Sequence, residues 1–340
     1  MAKRRIIVLS LFCLISCVCR LYAQQRPQYT QYVFNNYLLN PAVSGIENYT
    51  DFRAGYRSQW SGLEGAPVTS YVSVNAPIGS NFIEGDAANL SSGSDNPLSR
   101  SFTRNYMAAE PHHGIGLIAI GDRAGPITQT SVAATYAYHL GLTPKLNLSV
   151  GVMAGVNRIS LDLSQVTLEN PSDPAINNGN TSQFKPDVGL GVWAYSGNYY
   201  IGASVQQLIK QTISFGDASL YNQGKTVPHY FLTGGIKIFL DEDITLLPSF
   251  LIKKVDPAPL SYDINLKLAF SNKIWVGGSY RHNDSKSAMA GINISSVINI
   301  GYAYDFTSSN LRTVSNGSHE IVLAILFNNR YKVSSSQRSW

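Results

Sequence analysis

His112 and His113 stand side by side, and imidazoles are the side chains best suited to hold a metal or move a proton near neutral pH. Neighbouring residues of a strand face opposite ways, however, and no cysteine or carboxylate stands at ligand spacing from the pair. The sequence predicts a loop edge entering a strand here, with no metal and no cofactor. Gly114-Ile115-Gly116 has no Lys-Ser or Lys-Thr after it and lies in an alternating stretch, so it does not read as a phosphate-cradling loop. Arg53, Arg57, Asp187, Lys237, Asp263, Lys267 and Arg281 fall on presumed inward faces. They could line a selective pore, or pair with each other around a plug. Unpaired charges in a narrow lumen are costly, so the paired, structural arrangement is expected, and none of these groups predicts an enzyme.

The elements that must position these residues follow a period of two. In residues 128–141, Thr130, Val132, Ala134, Tyr136, Tyr138 and Leu140 share one face, and Gln129, Ser131, Ala133, Thr135, Ala137 and His139 the other. Residues 261–270 split more cleanly, with Tyr262, Ile264, Leu266, Leu268 and Phe270 against Ser261, Asp263, Asn265, Lys267 and Ala269. Such segments run to about ten residues, the length a tilted strand needs to cross a bilayer, against about five or six in soluble sandwiches. Their apolar faces begin or end in Tyr and Phe, as interfacial girdles do.

Candidate strands lie near 49–59, 67–76, 113–121, 128–140, 145–156, 186–196, 199–208, 228–240, 244–253, 260–270, 273–281, 287–294, 297–305 and 318–327. The predicted fold is all-β, a transmembrane outer-membrane barrel of about 14 antiparallel strands over residues 49–327 with an N-terminal plug segment. Short connections at 141–144, 196–198, 240–243 and 271–272 alternate with longer ones at 77–112, 160–185, 209–227 and 306–317, as periplasmic turns and extracellular loops would. The stretch 79–112, rich in Ser, Gly, Asn and Asp, is expected to be mobile.

Residues 1–23 read as a secretory signal: Lys3, Arg4 and Arg5, an apolar run from Ile6 to Val18, and an exit after Leu21-Tyr22-Ala23. Leu14-Ile15-Ser16-Cys17 offers a rival reading, a lipobox with Cys17 as a lipidated amino terminus. Removing residues 1–23 removes all three cysteines and four cations, so the net charge falls from +5 to +1. Neither a disulfide framework nor a basic, nucleic-acid-binding surface is left. Residues 24–48 break the alternation. They are too polar for lipid and too aromatic for water, which leaves a lumen. A helical turn or two ending before Asn40-Pro41 is expected, with Tyr32, Phe34, Tyr37 and Leu38 on the lumen wall and Gln31, Asn35 and Asn36 on its polar rows. Ser44-Gly45 then reverses the chain towards a first strand near Tyr49. Residues 328–340 form a charged tail.

Asn40-Pro41-Ala42-Val43-Ser44-Gly45, Arg57-Ser58-Gln59-Trp60 and Gly65-Ala66-Pro67 resemble the start of PorP/SprF proteins, outer-membrane components of type IX secretion and gliding motility. In order along the chain follow Gly114-Ile115-Gly116, Gly121-Asp122-Arg123-Ala124-Gly125, Pro186-Asp187-Val188-Gly189-Leu190-Gly191, Gly277-Gly278-Ser279-Tyr280-Arg281 and Gly317-Ser318-His319-Glu320-Ile321. The resemblance implies an integral outer-membrane barrel that aids surface localisation of a secreted partner, such as an adhesin, alongside secretion or motility components. A passive channel or FadL-like solute transporter is the alternative. Ser315-Asn316-Gly317 also resembles a step in outer-membrane phospholipases, but Thr313 occupies the place of their base histidine, so a turn into the last strand is the better reading.

Overall fold

A backbone inside lipid must satisfy every N–H and C=O internally, which strands achieve only by closing into a ring. The computed structural model describes residues 27–79, 98–104, 106–165, 182–213 and 224–328. The signal reading and the Cys17 alternative therefore lie outside the described residues, as does all of the tail but its first residue. Among them fourteen strands form one antiparallel ring. They are β1 Thr50–Ser58, β2 Val68–Ile78, β3 His112–Ala124, β4 Ile127–Thr143, β5 Leu146–Leu161, β6 Ser182–Tyr195 and β7 Tyr199–Gln206. There follow β8 His229–Ile236, which resumes at Ile238–Phe239, β9 Ile244–Val255, β10 Ser261–Phe270, β11 Ile274–Arg281, β12 Ser285–Asn293, β13 Ile298–Thr307 and β14 Ser318–Phe327. Each strand pairs with its neighbours in sequence, and β14 pairs with β1 to close the ring, Arg57 opposite Glu320. Each coincides with a predicted strand to within about five residues at either end, the limit periodicity sets on boundaries.

Alternation sorts the faces. Thr135, Ala137 and His139 are buried inside, while Tyr136, Tyr138 and Leu140 between them are exposed. Leu117, Val132, Val152, Ile201 and Leu266 belong to the apolar outer belt. Exposed Tyr138, Tyr199, Phe270 and Phe327 ring one end, and Tyr56, Phe184, Tyr230, Tyr280 and Phe306 the other, two aromatic girdles about an apolar band. Connections 144–145, 196–198, 240–243, 271–273 and 294–297 share the end where β1 begins and β14 finishes, the inner end. The opposite, outer end carries the longer connections 59–67, 162–181, 207–228 and 308–317 beside short ones at 125–126, 256–260 and 282–284.

The connection between β2 and β3 departs from the expected alternation. Ile78 pairs with His113 and His112 with His139, so this stretch leaves and rejoins the ring at the inner end, and its residues 80–97 and 105 lie outside the described residues. Residues 98–104 and 106–111 are not loose either. Leu98, Ser99, Thr103 and Tyr106 are buried around a single turn of helix, α1 Arg100–Arg104. Thr245 Oγ1 donates to the Leu98 carbonyl at 2.6 Å and Asn147 Nδ2 to the Tyr106 hydroxyl at 2.7 Å. A composition read as mobile conceals apolar anchors, Leu98 and Tyr106, whose partners lie on β9 and β5.

The lipid belt makes a direct prediction. Leu266→Arg places a charge at mid-height of the exposed face and should destabilise the barrel by about 2–4 kcal/mol in reversible unfolding from lipid vesicles. Lys286, at the outer end of β12, should tolerate exchange for Arg with little change.

Candidate functional site

Residues 28–45 lie inside the ring, and the strands position the side chains that hold them. Locally the segment forms three 3-10 turns, Gln31–Val33, Asn36–Leu38 and Pro41–Val43. Two of these turns end before Asn40-Pro41, as the sequence suggests, and Pro41 then begins a third. Pro41 sits at its first position, where a missing N–H costs nothing, and Asn40 Oδ1 accepts from Ala42 N at 3.0 Å. Gly45 has φ +71°, a left-handed conformation that favours glycine, and the strand follows at Thr50.

The outer part of the segment is held by charge. Arg57 Nη1 donates to Thr30 Oγ1 at 3.0 Å and to Glu320 Oε2 at 3.1 Å, and its Nη2 to Asp305 Oδ2 at 2.6 Å. Glu320 accepts the backbone N–H groups of Thr30 (2.7 Å) and Gln31 (3.2 Å). Arg281 pairs with Asp263 and Asp284 and donates to the Tyr29 carbonyl at 3.1 Å. Arg57 and Arg281 and their partners Asp305, Glu320 and Asp263 are all buried, where charge-assisted bonds are short and strong.

Midway, Asn265 donates to the Tyr32 hydroxyl and Asn35 to Ser73. Phe34 lies against Trp275, with the Arg53 guanidinium 4.9 Å from its ring. Arg53 itself pairs with Asp51 at 2.7 Å, and Lys267 sits 5.4 Å from the Trp275 ring. Tyr37 shares a hydrogen bond with Thr135 at 2.6 Å, and Leu38 and Leu39 present their carbonyls to Gln206. Nearer the inner end, Asn40 Nδ2 donates to the Val192 and Ala203 carbonyls. His139 and His112, stacked at 4.4 Å, meet the carbonyls of Ser44 and Gly45. A Cβ at Gly114 or Gly191 would overlap Ser44 O or Asn40 Oδ1, so the close approach of segment and wall requires glycine there.

Several positions of the sequence resemblance converge at the outer end. The connection after β1 is tied to the β3–β4 turn by Gly125 N donating to Gly65 O. It is tied to the β13–β14 connection by Ser61 N to Gly317 O, Asn316 N to Ser61 O and Trp60 N to Ser318 Oγ. The Pro67 carbonyl accepts from Gln59 N, and Thr69 donates to Asp122 at 2.6 Å. Pro186 O and Asp187 Oδ1 instead accept from Gln211 and Gln207 beyond β7. Lys237, buried, stands at the break in β8. His113 and His319 face outward against Tyr136 and Tyr302, away from the lumen and from Ser315. Sequence reasoning missed Asp305 and His139, although both fall on the inward parity of their strands. Above Tyr32, Leu38 and Leu39 a cleft partly open to solvent runs up past Phe231 and Leu251 to Lys253.

A family model described as "Type IX secretion system membrane protein PorP/SprF" matches residues 21–325. No curated protein matches this chain in sequence. Among solved structures, the chain is similar to the Acinetobacter baumannii outer membrane protein Omp33, with 10% identity, TM-score 0.46, and 84% of this chain and 100% of that one covered. It is also similar to a Pseudomonas aeruginosa FadL homologue, with 10% identity, TM-score 0.46, and 90% and 95% covered. A third is the P. putida toluene transporter TodX, with 12% identity, TM-score 0.45, and 85% and 92% covered.

Breaking the charged clamp from one side should be severe. Arg57→Met leaves Asp305 and Glu320 buried without their cation and should cost about 3–5 kcal/mol in reversible unfolding. Gly114→Val should act on the segment more than on the ring. Limited proteolysis should then cut within residues 28–45 while the strands stay protected, and unchanged resistance would count against the glycine seat.

Proposed function

Because this chain belongs to the PorP/SprF family of type IX secretion system membrane proteins, an integral barrel of the outer membrane, we propose that it is a closed docking element of that machinery. It anchors, or aids the surface localisation of, a secreted partner such as an adhesin. One observation carries the reading: residues 29–42 are buried throughout and bonded to strands around the ring, so the lumen is built to be filled. A diffusion channel needs a continuous polar path. Here the inward charges Arg57, Arg281 and Arg53 are spent on pairing with Asp305, Glu320, Asp263, Asp284 and Asp51, in keeping with a plug formed by residues 24–48. The outer ledge of hydrogen-bonded connections offers a partner a defined surface.

The second reading, a transporter for an apolar solute, draws on the cleft above Leu38 and Leu39. The two separate on phenotype. Deleting the gene should strip a particular protein from the cell surface without an uptake defect; an uptake defect with normal surface proteins reverses the choice. In planar bilayers the intact protein should conduct little, and deletion of residues 26–44 should make it leaky. Equal conductance in both would remove the plug.

A further inference from the structure

We propose that the amino-terminal part of the chain leaves the barrel at its outer, cell-surface end, so that the segment threads the lumen from outside to inside before β1 begins. The two ends of the segment are bonded to opposite mouths. At one, Gln59, in the connection after β1, donates through Nε2 to the Gln28 carbonyl at 3.1 Å. Arg281, the last residue of β11, holds the Tyr29 carbonyl, and Glu320, near the start of β14, holds Thr30 N. All three holders stand at the outer end. At the other, Gly45 N donates to Asn75 Oδ1 and Gly45 O meets His112, beside the connection between β2 and β3 at the inner end. The first strand starts from that side at Thr50. Between the two lie the bonds of Tyr32 and Tyr37 and, nearer the inner end, those of Asn40.

Chain preceding Pro27 therefore departs next to connections 59–67 and 308–317, which are hydrogen-bonded to each other. It does not depart beside the short turns where the first strand begins and the last one ends. The described chain thus enters the lumen at one mouth, at Pro27, and finishes at the other, after Phe327. This goes beyond the docking function and stands without it, because it rests only on which mouth each end of the segment touches.

Thiol labelling tests it on the full protein in cells. The chain after residue 23 has no cysteine, so Gln25→Cys, Glu64→Cys in connection 59–67 and Glu242→Cys in connection 240–243 each add one thiol there. The unsubstituted protein supplies the background, and heat-modifiable migration on gels confirms that each variant is folded. With a membrane-impermeant maleimide on intact cells, Gln25→Cys should label to the extent of Glu64→Cys. Glu242→Cys should label only once the outer membrane is opened. Labelling of Gln25→Cys together with Glu242→Cys, or only after denaturation, overturns the proposal. Loss of partner localisation with this labelling pattern intact would overturn the docking function alone.

Discussion

The Arg57 guanidinium is the junction on which the rest depends. It stands on β1 opposite Glu320 of β14, the pairing that closes the ring, and reaches Asp305 on β13 and Thr30 of the inner segment with the same planar fork. One side chain thus joins the first strand, the last two strands and the lumen contents. Arginine suits the place because its donors are fixed in a plane and its charge cannot be titrated away on burial. Two buried carboxylates against one cation would be costly if the segment did not add its own donors. The N–H groups of Thr30 and Gln31 and the Thr30 hydroxyl supply them. Closure of the barrel and occupation of its lumen are therefore physically linked.

The remainder of the lumen follows from filling a ring of fourteen strands while giving the segment hydrogen-bond partners. Side chains alone cannot fill so wide a ring, and a chain segment brings backbone groups that need partners. The wall meets this demand with short polar side chains, Ser149, Ser204, Thr135 and Asn265, each bonded to the segment. Glycines at 114 and 191 admit the backbone where it runs closest. The two mouths are treated differently. Buried Leu98 and Tyr106 are bonded to β9 and β5 near the inner one, and a cleft stays open above Leu38 and Leu39 towards the outer one.

Much of the fold was legible in the sequence, because a half-lipid, half-lumen strand writes its alternation into every pair of residues. Positions of all fourteen strands to within a few residues, the two faces of 128–141 and 261–270 and the inward turn of Asp263 and Lys267 follow from that period. The ordered glycine motifs pointed to the family. What tertiary structure decided was pairing across distance. Nothing local says that Arg57 meets Asp305 rather than Asp187, or that Gly114 and Gly191 are small because Ser44 and Asn40 press on them. Asn40-Pro41 reads as a stop, which it is for the two turns before it, and the further turn that starts at Pro41 was not legible. The stretch before β3 looked mobile by composition, yet Leu98 and Tyr106 are fixed by strands well over a hundred and about forty residues away. The direction in which the segment threads the ring is likewise absent from the sequence, because period and composition are the same read from either mouth, and only long-range hydrogen bonds distinguish them.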